Sequence, residues 1–426
     1  MNIVLIGAGS YVFAPTVLRD ALAVHKLQGA TLAMVDCRLE AAEAMAAFGR
    51  RLAEVSGVQA TITAHSDRRT AMAGADVVIL SAAIEGQRRY EMDRDVLVRH
   101  GLGDQARECG GLGGLLYSLR SIGLALDVAR DMEEFCPRAV LLDVTNPLPR
   151  VVTAVNKHSK IRCYGFCSAA LRGDARYGWL ADTLGRPVES LDVATAGLNH
   201  IAWHMWVRDR ATGEDLLPQV VAKVRPHQDA GAKLAMRLYD EYGMLPAGYT
   251  AHQAEFLPPM ADAPHHGASP FHGNPDERRQ RWQDLADAAA GKIDWQRITE
   301  HGSWEHPVDV AVGLVLKRPM HVMALNLVND GCLPSLPLGR VVEVPADVMG
   351  GQVKGRTMPE LSSKVAALLR SLSDVHELVA QSAATGDIAA ARRSIDIDPA
   401  IVNKPAALAA FDEMLPLHLD VLSRFK

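Results

Sequence analysis

The chain has 426 residues, 48% of them apolar, and a formal net charge of −5. Such a chain suits two domains or one large one with substantial cores, and its charge balance, without a long basic run, excludes an extended nucleic-acid surface. No uninterrupted apolar run of about 18 residues offers a membrane span, and six cysteines are too few for a disulfide framework, which fits a reduced, cytoplasmic setting.

The opening stretch, MNIVLIGAGSYVF, begins on a strand and lacks the basic segment and cleavage site of a secretory signal, so none is expected. Short, almost continuously apolar runs predict strands at Ile3–Ile6, Thr31–Val35, Ala60–Ala64, Val77–Ser81, Val140–Val144 and Cys163–Phe166. Strands covered on both faces read this way. Helical stretches separate them. The clearest runs from about Gly114 to Phe135, with Leu115, Leu119, Ile122, Leu126 and Ala129 on one face and Pro137 beyond its end. Repeated β-α-β units predict a Rossmann-like, doubly wound parallel sheet over residues 1–166.

The first strand runs into Gly7-x-Gly9-Ser10 and then a helix, an arrangement that points backbone N–H groups at an anion such as a pyrophosphate. The usual third glycine is replaced by Val12. Asp36 ends the second strand, where a carboxylate binds ribose hydroxyls and repels a 2′-phosphate, so the expected cofactor is NAD over NADP. The other reading is a tight turn beside a solvated aspartate. Asn146, before Pro147 at the end of the fifth strand, either meets a nicotinamide or a substrate hydroxyl or is simply a turn residue.

Beyond Phe166 the alternation fades, and residues 167–426 are expected to form an α+β domain. Val193–Asp209 holds apolar, strand-like runs broken by Asn199 and His200, and Met260–Asn274 is a loop rich in Pro, Gly and His. From Pro359 to Phe425 the pattern is helical again. Cys167, at the end of a predicted strand, is a core thiol, a metal ligand or a nucleophile as far as its neighbours in sequence tell.

Taken in order, GAGS, ECGGLGGLLYSLRSI, DVTNPL, GFC, AGLNHIAW, LNLVNDG, LPLGRVVEVPADV and VHELVAQSAATGDIAAARRSIDIDP resemble glycoside hydrolase family 4, the NAD- and manganese-dependent glycosidases, from Asn2 to about Leu415. The resemblance implies a second domain like the C-terminal domain of lactate and malate dehydrogenases, a small-molecule glycoside as partner, and a homodimer or homotetramer. It also implies a redox-neutral hydrolysis: oxidation at C3 of the sugar, loss of the C2 proton, elimination of the aglycone, addition of water and re-reduction. On this resemblance Cys167 and His200 fall on the ligands of Mn²⁺ or another divalent transition ion. Glu108 and Asn199 fall near the substrate, and Arg89 and Arg107, with Arg88, are candidates to pair with a sugar carboxylate. An unphosphorylated glycoside or uronide is expected. The alternative activity is an NAD-dependent dehydrogenase of a sugar or sugar acid on the same scaffold.

Three departures from the family pattern touch the acid and base. Ser168 follows the metal cysteine where His, Asp or Asn is common. The glycine-rich segment opens Arg107-Glu108-Cys109 instead of Gln-Glu-Thr. Phe256 stands where the resemblance puts the family's basic tyrosine. Tyr249 or His252 nearby are the candidates to replace that base.

Overall fold

A computed structural model describes residues 1–172, 177–248, 250–260, 263–264, 274–300 and 305–426. Its strands are β1 (Asn2–Ile6), β2 (Ala30–Val35), β3 (Ala60–His65), β4 (Val77–Leu80), β5 (Val140–Asp143), β6 (Cys163–Gly165), β7 (Leu191–Leu198), β8 (Ile201–Asp209), β9 (Pro246–Ala247), β10 (Met320–Val328), β11 (Val341–Met349) and β12 (Gln352–Gly355). They form one mixed sheet in the order 3-2-1-4-5-6-10-11-7-8-9, with β12 beside β11. The first six are parallel in the order 3-2-1-4-5-6. From the β6–β10 pair onward the pairing is antiparallel. The expected α/β class and doubly wound order are both present.

The apolar runs follow from burial on both faces. Ile3 and Leu5 enter one core while Val4 and Ile6 enter the other, because successive strand residues point to opposite sides. The first core packs the helix Leu39–Ser56 and the helix Pro307–Val315 on the sheet; the second packs the helices Gly111–Phe135, Leu148–His158 and Ser363–Thr385. The helix Gly111–Phe135 is long and apolar enough to cross a membrane, but 83% of its most apolar window is buried inside the protein. It is a core helix, which explains its composition.

The strand order reverses between β1 and β4. There the chain leaving β1 passes over the end of β4, and ligands of open α/β sheets sit at such a switch point. The antiparallel strands bring a second set of polar residues alongside. Asp143 of β5, Gly165 of β6, Asn326 of β10, Glu343 of β11 and Gly197 of β7 lie in one register row across the sheet.

Candidate active site

The loop after β1 has no room for side chains at Gly7 and Gly9. Gly7 takes φ +90°, and a Cβ there would lie 2.0 Å from the carbonyl oxygen of Ser81 at the end of β4. Only glycine allows this conformation and this approach. The N–H groups of Gly7 and Ala8 donate to the Val35 carbonyl at 2.9 and 3.0 Å. Asp36, one residue on, accepts from Gly9 N–H at 2.7 Å and from Arg38 N–H at 3.0 Å. Ser10 donates its N–H to Gly7 O, and its Oγ accepts from Phe13 N–H. Gly7, Gly9, Ser10 and Asp36 are thus gathered at the sheet's C-terminal edge. A glycine loop that passes close over the sheet edge, with a carboxylate at its rim, is a cradle that fits a dinucleotide.

A second group forms where β6 and the β7–β8 hairpin end. Cys167 follows β6, and Asn199-His200 is the two-residue turn between Leu198 and Ile201. His200 adopts φ +68°, a conformation that costs a non-glycine residue on the order of 1–3 kcal/mol and so marks a turn held in place by its surroundings. The turn places His200 Nε2 3.3 Å from Cys167 Sγ. A thiol and an imidazole this close are a donor set that fits a divalent transition ion. The ring of His252 stacks on His200 at 4.0 Å, with 30° between planes.

Beneath the turn, Glu343 Oε2 accepts from Asn199 Nδ2 at 2.7 Å and from Asn326 Nδ2 at 2.9 Å. Burial pushes the Glu343 carboxyl up to about 7 against the opposing effect of the two amides. Burial, followed by the charges of Glu305 and Glu343, also holds the Cys167 thiol well above its ordinary value. A bound cation reverses that balance by favouring the thiolate.

A third wall comes from the segment before the helix Gly111–Phe135. Glu108 is half-buried near Glu255 and accepts from Asn146 Nδ2 at 3.0 Å. Burial first, then the Glu255 charge, lifts its carboxyl to about 7. Glu255 Oε2 accepts from the N–H groups of Cys109 and Gly110 at 2.7 and 3.2 Å, closing the helix's N-terminus. Its other oxygen lies 3.8 Å from His252 Nδ1.

The predicted residues do not all converge. Arg89 is corrected: it is buried, its two terminal nitrogens donate to Asp420 at 3.0 and 2.6 Å, and it also reaches Glu85 and His418, so its fork is taken by protein carboxylates. Arg88 pairs with exposed Glu85. Arg107 is corrected as well. Its Nη1 donates to the carbonyls of Ala254, Glu255 and Leu257 and its Nε to the Asp104 carbonyl, which makes it a staple between two loops. Tyr249 and the histidines at 265, 266 and 272 lie outside the described residues.

Sequence reasoning missed Glu305, Glu343 and Asn326. A lone glutamate inside the apolar run Val341–Pro345 was a readable signal for Glu343. Glu305 carried none. It is brought in from the start of the helix Pro307–Val315 and accepts both the N–H and the Oγ–H of Ser168, at 2.9 and 2.8 Å.

Comparison with known proteins agrees with this fold. The family model described as family 4 glycosyl hydrolase matches residues 2–173, and that of its C-terminal domain matches residues 195–401. An alpha-galactosidase of Bacillus subtilis is 26% identical over the full length of both chains. An alpha-galacturonidase of the same organism is 25% identical over 97% of each. Among solved structures, a 6-phospho-alpha-glucosidase from gut microorganisms in complex with NAD and Mn²⁺ superposes with a TM-score of 0.79 at 19% identity, over 100% of this chain and 99% of that one. The malate dehydrogenase of Plasmodium falciparum, at TM-score 0.53 and 13% identity over 90% of this chain and 98% of that one, shares the fold.

Proposed function

The chain belongs to the family 4 glycosyl hydrolases, and from that premise we propose that it cleaves an unphosphorylated glycoside with the help of bound NAD and Mn²⁺ or a similar divalent ion. When bound, these groups supply a reversible hydride exchange at C3 of the sugar and Lewis-acid polarisation of its neighbouring oxygens. Gly7, Gly9 and Ser10 hold the dinucleotide's phosphates, and Asp36 holds a ribose. Asn146 stands between the two sites, fixed by Glu108. Cys167 and His200 hold the metal, and Asn199, tied to Glu343, sets the turn that aims His200.

His252 takes the C2 proton, its ring held by stacking on His200, with the Glu255 carboxyl 3.8 Å from its Nδ1. Phe256 is buried in the core and carries no ionisable group, so the base must come from elsewhere. Glu108, neutral for part of the time near pH 7, donates to or accepts from a sugar hydroxyl as its protonation state dictates. The observation that carries the reading is the 3.3 Å approach of Cys167 and His200 from two separate elements at the ligand-binding edge of the sheet.

The carboxyl groups of Glu108, Glu255, Glu305 and Glu343 around this pair favour an uncharged sugar. The uronide reading loses the support of Arg89 and Arg107, which are bonded elsewhere. We also propose the family's homodimer or homotetramer, and a division into residues 1–166 and 167–426, supported by the change from parallel to antiparallel pairing at β6–β10. Light scattering that returns only a 46.0 kDa particle excludes the oligomer.

The test of function is a glycoside panel with NAD and Mn²⁺ that includes galactosides, glucosides, galacturonides and glucuronides, read for free aglycone and for NADH. Aglycone release without net NADH is expected; stoichiometric NADH without release favours the dehydrogenase. Cys167→Ser is expected to lose Mn²⁺-dependent turnover and keep its NAD affinity, since the glycine loop lies elsewhere on the sheet. Full activity of that variant in EDTA-treated buffer returns Cys167 to a core thiol.

A further inference from the structure

The pyrophosphate of NAD is anionic, and the loop that faces it is short of positive charge. From Gly7 to Leu18 the chain holds no lysine or arginine, and Arg19 is paired with buried Asp20 at 2.8 Å. The amides of Gly7, Ala8, Gly9 and Ser10 all donate within the protein. Those of Phe13 and Ala14, at the head of the next helix, donate to Ser10. The loop therefore gives the phosphates a close approach without a counter-charge.

A cation reaches this loop from the far half of the chain. The helix Pro275–Ala289 is opened by a capping box of Asn274 and Glu277. It packs on the helix Leu39–Ser56, burying Leu285 and Ala288 in the core that holds Met45, Phe48 and Leu52. Its Arg281 is half-buried, and the guanidinium carbon lies 5.1 Å from the centre of the ring of Tyr11, the residue after Ser10. The acids near it on the same helix are bonded elsewhere: Asp276 to Arg279, Glu277 to Asn274 and Asp284 to Gln280. Among the described residues no carboxylate pairs with Arg281. Partial burial of an unpaired guanidinium is unfavourable, and a bound anion offsets it.

We infer that Arg281, seated on the ring of Tyr11, pairs with the pyrophosphate of the dinucleotide. This rests on the NAD site proposed above. The ring takes the face of the guanidinium and leaves its N–H edge to the phosphate oxygens, a fork that suits them. Tyr11 is the positioning residue for Arg281. The cofactor site is then completed by a residue from the second half of the chain, more than 200 positions beyond the glycine loop.

Calorimetric titration of the full chain with NAD over a series of salt concentrations tests the assignment. Arg281→Gln is expected to weaken NAD by roughly 10-fold or more, as loss of a charge-assisted hydrogen bond does. Its NAD affinity is also expected to fall less steeply with added salt than that of the wild type, since one screened charge pair is gone. A merely structural loss does not change that slope. Arg281→Lys keeps the charge without the fork and is expected to fall between the two. Tyr11→Leu removes the platform, is expected to show both changes to a smaller degree, and decides the matter if Arg281→Gln does not fold. Unchanged NAD affinity in Arg281→Gln, or a loss with the wild-type salt slope, overturns Arg281 as a phosphate ligand and leaves the NAD site standing. A wild type that binds no NAD overturns both.

Discussion

At the scale of single residues the site depends on carboxyl groups whose surroundings differ. Asp36 sits at the rim of the glycine loop and bonds Gly9 N–H. Asp36→Ala is expected to weaken NAD binding about 10-fold or more, as the loss of a charge-assisted hydrogen bond does, and to weaken NADP less, because the repulsion of a 2′-phosphate goes too. Calorimetry with both nucleotides checks this, and wild-type protein that binds NADP as tightly as NAD refutes the assignment. Glu343 is the opposite case. Its folded value of about 7 lies above the roughly 4.3 of an unfolded glutamate. Its contribution to stability is therefore fully present below about pH 4 and is lost as the pH rises through about 7. Glu108 has the same sign and the same value. Metal-free protein is expected to lose up to roughly 1.4 kcal/mol per pH unit per group between those limits. Urea unfolding of the wild type and of Glu343→Gln across this range is the check; equal pH slopes in the two proteins count against it.

At the scale of elements, the long helix Gly111–Phe135 is positioned by a loop distant in sequence. Gly110 is its N-cap, and a Cβ there would lie 2.0 Å from the Glu255 carbonyl oxygen. The helix has no acidic residue in its first turn. Buried Glu255 supplies that charge from 145 residues away by accepting from Gly110 N–H, and also accepts from Cys109 N–H. Glu255→Ala strands two buried donors and is expected to cost roughly 2–4 kcal/mol. A shift of the urea midpoint worth less than about 0.5 kcal/mol would show that water satisfies the helix end instead. The helix itself was legible from the spacing of Leu115, Leu119, Ile122 and Leu126. Its start was displaced by three residues, from Gly114 to Gly111, because glycines carry no periodicity and its cap lies far away in sequence.

At the scale of the molecule, a buried charge cluster ties the C-terminal segment to the first half of the chain. Asp93 bonds Arg120 at 2.8 Å and His418 Nε2 at 2.6 Å, while His418 Nδ1 meets Arg89, which Asp420 holds from outside. Asp93→Asn leaves Arg120 buried without its carboxylate and is expected to cost about 3–5 kcal/mol. The double variant Asp93→Leu with Arg120→Met is expected to recover most of that loss, since it removes both desolvation penalties together. Chemical denaturation of the single and double variants tests the pair. A double variant no more stable than Asp93→Asn argues that the cluster acts through His418 rather than through Arg120.

The sequence by itself determined what depends on neighbours along the chain. Each of the six parallel strands contains or overlaps its predicted run, because a strand buried on both faces must be apolar throughout. The glycine loop and Asp36 were legible because they fall at strand ends, and the pairing of Cys167 with His200, now seen at 3.3 Å, was expected from the family resemblance alone. The tertiary structure decided what depends on distance in space. It gave Arg89 to Asp420, Arg107 to main-chain carbonyls, Glu255 to a helix end and Glu305 to Ser168. Apart from the bond of Arg107 to the nearby Asp104 carbonyl, each of these pairings spans more than 100 residues. A buried charge must find an opposite charge or a hydrogen-bond partner, and nothing local in the chain records which one it finds.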